Sequence, residues 1–319
     1  MTGYKITAMM TAALLSAVLC SVHVAADTAA VPAATVTPAA TVTPAETVTP
    51  AATVTPAATV TPTATVAPAA LKTVDLVIFA GQSNMSGRGG NAAAAPGVPV
   101  DTGYEFRLGT CPTGLYPVTE PFGIYSNGYL CDLPVLRGGT LVSAFMNSYY
   151  KGCGVPVMGF SAARGGTSIA YWQTAPVQAE LSRKFDMIKA WCAANHIFIR
   201  KEYVVWLQGE TDGVANIDSA TYKAGLSKTF AALIAKGVDQ VFVIPIGQYV
   251  GLPGTYDQII AAQLDLCATD PHYSVGSNAL RTLPAVYLAD GCHYNQAALN
   301  MVGAQGGAAA ALYTKMTTP

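Results

Sequence analysis

The chain has 319 residues, 51% of them hydrophobic and 11% charged, with a formal net charge of -1. That length supports a sizeable buried core, and 17 basic against 18 acidic residues, without a Lys/Arg run, exclude nucleic acid and anionic membrane surfaces as partners expected from charge. There is no P-loop, no dinucleotide fingerprint and no His-Glu-x-x-His, so no cofactor is expected. No C-x-x-C pair or Cys/His cluster has zinc spacing, so no metal is expected either.

Residues 1–26 read as a secretory signal. Lys5 supplies the charge, Ala8 to Cys20 the apolar stretch, and Val24-Ala25-Ala26 the small residues before a cleavage point at Asp27. The apolar run is short for a membrane span. Cleavage would leave the chain secreted, periplasmic or in the cell envelope, with no membrane attachment. Residues 27–70 read as a linker. Within them, 34–69 are six near-perfect copies of Ala-Thr-Val-Thr-Pro-Ala. A proline in every copy removes a backbone donor and biases its neighbour toward extended conformations. Such a spacer reaches at most ~110 Å at ~3.1 Å per residue. The folded unit is expected over 71–319.

Within that unit, Val74–Ala80 is a short apolar run ended by Gly81, and Val155–Phe160, Glu202–Leu207 and Gln240–Ile246 repeat the pattern. Continuous apolar runs of this length fit strands covered on both faces. The region 87–140 is rich in Gly and Pro and reads as long loops with a short hairpin. Helical periodicity follows in 176–194, where Val177, Leu181, Phe185 and Ile188 line one face, and in 218–236, where Asp218 or Ser219 can cap. Tyr256–Leu266 and Gln296–Tyr313 read as further helices. Strands alternating with helices imply an α/β sandwich with a parallel sheet and right-handed crossovers.

Six cysteines follow the signal: Cys111, Cys131, Cys153, Cys192, Cys267 and Cys292. An even count in an exported chain is compatible with up to three disulfides. Cys153, before the second strand, and Cys192, at the end of the next helix, are expected on one rim and can pair. Cys111 and Cys131 share the long loop region. Cys267 and Cys292 would pair only by elimination, and their expected locations on opposite rims argue against it.

Sites in an open parallel sheet gather at the carboxyl ends of the strands. Ser83 lies just past the first strand, Arg164-Gly165-Gly166 past the second, and Gln208 directly after the third. Of the histidines after the signal, His196 leaves a helix on the opposite rim and His272 sits in a turn. His293 has a carboxylate three residues before it, in Asp290-Gly291-Cys292-His293. A tight turn there lets Asp290 orient the imidazole and fix the tautomer that accepts a serine proton. An Asp-x-x-His helix cap is the bland alternative.

Gly81-Gln82-Ser83-Asn84-Met85-Ser86-Gly87-Arg88-Gly89-Gly90 resembles the first block of the SGNH (GDSL-like) hydrolases. More narrowly, it resembles the branch of carbohydrate esterase family 6 acetylxylan esterases and sialate O-acetylesterases. Gly165-Gly166-Thr167-Ser168-Ile169 with Trp172, Gln208-Gly209-Glu210-Thr211-Asp212 and Asp290-x-x-His293 resemble its later blocks, in order. The Arg88-Gly89-Gly90 continuation leans toward the acetylxylan-esterase side. The resemblance implies a three-layer, flavodoxin-like sandwich and a metal-free Ser-His-Asp mechanism. Ser83 would be the nucleophile, His293 the base and Asp290 its orienter. Backbone N–H groups of Ser83 and of Gly165 or Gly166, with the Gln208 side-chain amide, would form the oxyanion hole.

Asn84 and Arg88 could contact sugar hydroxyls or brace the glycine-rich loop. Trp172, Tyr171 and Tyr294 could stack on a sugar or pack in the core. Glu210 and Asp212 fit a loop-fixing role better than a glycosidase pair. The function expected is removal of O-acetyl groups from a glycan, acetylxylan or sialic-acid-like. The alternatives are a glycan-binding module without catalysis and an esterase or lipase acting on other acyl groups.

Overall fold

The structure is a computed structural model, and it describes residues 73–109 and 111–318. The signal and the repeat linker expected from the sequence lie outside the described residues. Seven strands form one sheet: β1 Thr73–Gly81, β2 Gly103–Arg107, β3 Gly114–Pro117, β4 Val157–Ala163, β5 Phe198–Leu207, β6 Gln240–Val243 and β7 Tyr273–Val275. Their order is β3-β2-β4-β1-β5-β6-β7, parallel except where β3 returns antiparallel beside β2. The expected α/β sandwich and short hairpin are both present. Helices are α1 Val142–Cys153, α2 Ile169–Trp172, α3 Ala175–Ala194, α4 Glu210–Val214, α5 Ser219–Ala235, α6 Asp257–Thr269 and α7 Gln296–Thr317.

The central strands are buried on both faces over residues 76–80 of β1 and 203–207 of β5, which is why these stretches read as apolar runs. On one face, Phe79 meets Phe145 of α1 edge-on at 5.2 Å, and Phe242 meets Tyr313 of α7 at 5.7 Å. On the other, Trp206 meets Trp172 of α2 at 5.0 Å and Phe230 of α5 at 5.1 Å. The parallel register pairs Phe79 with Val205 and Ala80 with Trp206, so alternate residues feed alternate layers.

Helix α1 lies outside the expected elements. Val142, Phe145, Met146 and Tyr149 nevertheless form its buried stripe, and Gly154 closes it at φ 71. Leu141 offers no side-chain cap, but Thr140 Oγ1 accepts from Val142 N at 3.1 Å. Glu120, distant in sequence, then accepts hydrogen bonds from Thr140 and Ser143 around the helix start. Elsewhere, β4 extends beyond its expected end to Ala163, and β6 stops at Val243.

The cysteine expectation is corrected: all six described cysteines are thiols. Cys153 ends α1 on one face of the sheet, and its Sγ donates to Tyr149 O at 3.4 Å. Cys192 ends α3 on the other face, with its Sγ 3.7 Å from Met158 Sδ. The sheet separates them, so a shared rim does not make them neighbours.

The tightest helix contact is between α1 and α7. Ala310 and Ala311 of α7 are buried beside glycines, and a Cβ at Gly303 or Gly307 would fall on Leu141 O or Phe145 O. Gly307→Ala should therefore destabilise the fold by about 1–2 kcal/mol, since overpacking costs ~1–3 kcal/mol and outweighs the ~1 kcal/mol gained from helix propensity. A lower urea midpoint checks this; a higher one would show that the helices can part without cost.

Candidate active site

Strands β1, β4 and β5 are adjacent, so the loops after Gly81, Ala163 and Leu207 share one edge of the sheet. Gly81 has φ 150 and lies so close to β5 that a Cβ would fall on Leu207 O. Only glycine tolerates both conditions. The chain then turns sharply: Ser86 N donates to Gln82 O and Arg88 N to Ser83 O, each at 2.9 Å. Gln82 Oε1 accepts from Gly209 N at 3.3 Å, tying this turn to the loop after β5. Ser83 sits at its head, 2% exposed.

His293 and Asp290 lie on the loop before α7. His293 Nδ1 is 2.7 Å from Asp290 Oδ2, and the backbone N–H groups of Cys292 and His293 both donate to Asp290 Oδ1 at 2.8 Å. Burial pushes the Asp290 carboxyl up, but these bonds outweigh it and hold it well below the usual carboxylate range. The helix-cap alternative does not apply, because Asn295 caps α7 by accepting from Ala298 N.

Asn84 joins the two loops. Its Oδ1 accepts from Tyr294 N at 2.9 Å, and its Nδ2 donates to Cys292 O at 3.1 Å. The residues on either side of His293 are thus held by the residue after Ser83. The same Nδ2 donates to Glu210 Oε1 at 2.6 Å. Burial raises the Glu210 pKa, which the Asn84 bond partly offsets. Gly89 packs close under the His293 loop, since a Cβ there would lie 2.9 Å from His293 Cβ.

The other two histidines lie elsewhere. His196 occupies the turn into the start of β5, at the far end of the sheet, with φ 58. His272 is exposed and has its own acid, Asp270 Oδ1 at 3.0 Å, but directly precedes β7 and so shares that far end. A nearby acid is therefore not by itself the discriminating feature; the rim is.

Gln208 is fully buried, and its Nε2 donates to Thr167 O at 2.7 Å and to Asp212 Oδ2 at 2.6 Å. Its Oε1 accepts from Tyr222 Oη at 3.0 Å. Both amide protons are committed, which corrects the expectation that this side chain donates to an oxyanion. It ties the loop after β4 to the one after β5. Asp212 completes the tie by accepting from Ile169 N at 2.9 Å, the first N–H of α2. Burial raises its pKa to about 6 against these bonds. Glu210 and Asp212 thus fix loops, the role preferred from sequence.

Trp172 is a core residue, with 0% exposure and Nε1 donating to Thr167 Oγ1 at 3.0 Å. The expectation that it contacts substrate is corrected. Tyr294 is also core, its hydroxyl bonded to Leu280 O. Tyr171 is half-buried beneath Arg164, whose Cζ lies 5.5 Å from the ring centre. Arg88 braces rather than reaches out. It pairs with Asp132 Oδ1 at 2.9 Å, and a Cβ on Gly165 would lie 2.5 Å from its Cζ. Among the described residues, the backbone N–H groups of Ser83, Gly165 and Gly166 have no intramolecular acceptor.

Asp132 and Asn84 are the contributors the sequence did not single out in these roles. Asp132 also accepts from Ser86 Oγ at 2.8 Å. It lies in the long loop, and nothing local in Leu130-Cys131-Asp132 marks it.

Residues 73–305 match the family described as carbohydrate esterase, sialic acid-specific acetylesterase. The chain belongs to this family. It is accordingly a carboxylic ester hydrolase, with an O-acetylated carbohydrate as the substrate class. A protein from Arabidopsis thaliana has a similar fold, with a TM-score of 0.56 at 19% identity over 76% of this chain and 98% of that one. A lipase/acylhydrolase from Enterococcus faecalis aligns with a TM-score of 0.44 at 14% identity over 76% and 96% of the two chains. A carbohydrate acetylesterase from Xanthomonas citri aligns with a TM-score of 0.40 at 15% identity over 63% and 49%. No curated protein matches by sequence.

Asn84→Ala should cost about 2–3 kcal/mol in unfolding free energy, because buried partners lose their bonds at ~1–3 kcal/mol. Its kcat should fall at least tenfold with little change in KM, as positioning of His293 is lost. Urea denaturation and steady-state kinetics check both. Gln208→Ala should lower the unfolding midpoint by a similar energy; unchanged stability would return its amide to the list of free donors.

Proposed function

We propose that this esterase removes O-acetyl groups from a glycan through a serine nucleophile, outside the cell that makes it. The observation that carries the reading is the 2.7 Å contact between His293 Nδ1 and Asp290 Oδ2 on a loop bonded to Asn84, next to Ser83. With Nδ1 protonated and held by a carboxylate, Nε2 is the basic nitrogen. It takes the Ser83 proton as Oγ attacks the acetyl carbonyl. The negative charge that develops on oxygen is met by the N–H groups of Ser83 and of Gly165 or Gly166. Collapse of the tetrahedral adduct breaks the ester bond, and the imidazolium returns its proton to the departing sugar hydroxyl. Water then repeats the sequence on the acetyl-serine and releases acetate.

Burial of the nucleophile supports a small acyl group. Ser83 is 2% exposed, sunk between loops braced by Arg88, Asn84 and Gln208. Sialic-acid-like acetyl esters follow from the family description, and acetylxylan from the Arg88-Gly89-Gly90 continuation. Export rests on residues 1–26 and reach on the repeats in 34–69. Among the described residues, no helix is long and apolar enough to cross a membrane.

Ser83→Ala and His293→Ala should each abolish hydrolysis of p-nitrophenyl acetate while leaving the fold intact. Asp290→Asn should lower kcat by about 10⁴, through the wrong tautomer. Full turnover in the serine variant would mean a different nucleophile, whereas a native protein with no turnover would favour the glycan-binding alternative. Acetate release from acetylated xylan, compared with O-acetylated sialic acid, distinguishes the two glycans.

The pH dependence has a definite sign. Asp290 is held below the usual carboxylate range, so it stays ionised throughout the working range. The acid limb of kcat/KM therefore falls with decreasing pH as one proton binds His293, with a limiting slope of one. A slope of two would mean that a second group titrates as well, and the Asp212 carboxyl, which burial raises to about 6, is placed to do so.

A further inference from the structure

The catalytic loop carries a group the proposed mechanism does not use. Cys292 is 5% exposed, and its Sγ lies 3.7 Å from His293 Nδ1 and 4.0 Å from Nε2. Thiol, imidazole and the Asp290 carboxylate each offer one ligand atom, and the three lie within 4.8 Å of one another. We propose that Asp290, Cys292 and His293 form a binding site for a soft divalent cation such as zinc or cadmium, and that an ion held there shuts the esterase off.

The geometry is close to what such an ion needs. Tetrahedral zinc, with bonds of ~2.3 Å to sulfur and ~2.0–2.2 Å to nitrogen and oxygen, sets its sulfur and nitrogen ligands ~3.6 Å apart and its nitrogen and oxygen ligands ~3.4 Å apart. The sulfur–nitrogen separation of 3.7 Å is already there. The nitrogen–oxygen pair, at 2.7 Å, must open by a fraction of an ångström. The Asp290 side chain is half exposed, which gives an ion an entry path and a fourth position for water. The donor set of thiolate, imidazole and carboxylate suits zinc or cadmium and does not suit magnesium or calcium.

The consequence for catalysis follows from proton bookkeeping and rests on the serine mechanism proposed above. The ion takes the place of the proton shared by His293 Nδ1 and Asp290 Oδ2. That proton moves to Nε2, and the Cys292 thiol gives its own proton to solvent, so one proton is released per ion bound. An imidazole bonded to metal at Nδ1 and protonated at Nε2 has no lone pair for the Ser83 hydroxyl. A thiol beside an acid–base pair thus makes the same three residues either a base or a metal ligand set, never both.

The test uses the whole protein, with zinc or cadmium chloride as probe. Cadmium titration should give a thiolate-to-metal charge-transfer band saturating at one equivalent. Cys292→Ser should lack that band, and Asp290→Asn, which keeps the thiol, should bind at least tenfold more weakly. Zinc should inhibit p-nitrophenyl acetate hydrolysis in the native protein, with reversal by EDTA. In Cys292→Ser, measured against its own uninhibited rate, the inhibiting concentration should rise at least tenfold. Equal inhibition of both proteins, or a cadmium band that survives in Cys292→Ser, would overturn the site. Binding without inhibition would keep the site and refute the shut-off. Labelling of Ser83 by a serine-directed reagent decides the mechanism separately, so the two readings fail independently.

Discussion

One side-chain amide holds the reactive edge of this sheet together. Asn84 reaches Glu210 after β5, and Cys292 and Tyr294 on either side of His293. These segments are more than a hundred residues apart in sequence. The loop before α7 has further ties, from Val250 N to Gly291 O and from Tyr294 Oη to Leu280 O, but those from Asn84 join it to the turn that carries Ser83. Because the amide is buried, each bond is made in a low-dielectric setting where its absence is costly. The position of the imidazole relative to Ser83 is therefore set by the loop after β1 rather than by the helix that follows His293.

The polar groups around Asn84 are nearly all spent on such ties. Gln208 and Asp212 fasten the loop after β4, Arg88 and Asp132 fasten the first turn to the long loop, and Tyr222 supports Gln208 from α5. This distribution separates two tasks. Side chains shape the loops, while the backbone N–H groups of Ser83, Gly165 and Gly166 have no acceptor among the described residues. Backbone donors carry no rotamer freedom, so they lose little entropy on meeting a developing charge.

The alternation of apolar runs made the sheet legible in the sequence, because β1, β4 and β5 are covered on both faces and have no polar stripe to obscure them. The convergence of Ser83, Arg164–Gly166 and Gln208 on one edge followed from parallel topology alone. What escaped was set by contacts distant in sequence. The start of helix α1 is anchored by Glu120, some twenty residues upstream, which holds the capping Thr140, and Asp132 meets Arg88 across the long loop. The proposed Cys153–Cys192 bridge failed for a related reason: rim position is visible in a sequence, but which face of the sheet a helix covers is not. Gln208 and Trp172 were misjudged because a position beside the rim does not say whether a side chain points along it or down into the core. Their burial decides that.

The Asp290 carboxylate has no spare oxygen. Oδ1 gathers the two N–H groups that close the turn, and Oδ2 meets the imidazole. A single ionised group is therefore both the latch of the loop and the partner of the ring. Its pKa is depressed in the folded protein, so the stability it lends is present above the unfolded carboxylate value and is lost as pH falls through the folded one. Strong acid would accordingly loosen the turn and the ring together, while the bonds from Asn84 to the flanking backbone remain. The sheet beneath has its own apolar cover and need not follow, so the edge that does the chemistry can loosen and re-form on a scaffold that stays folded.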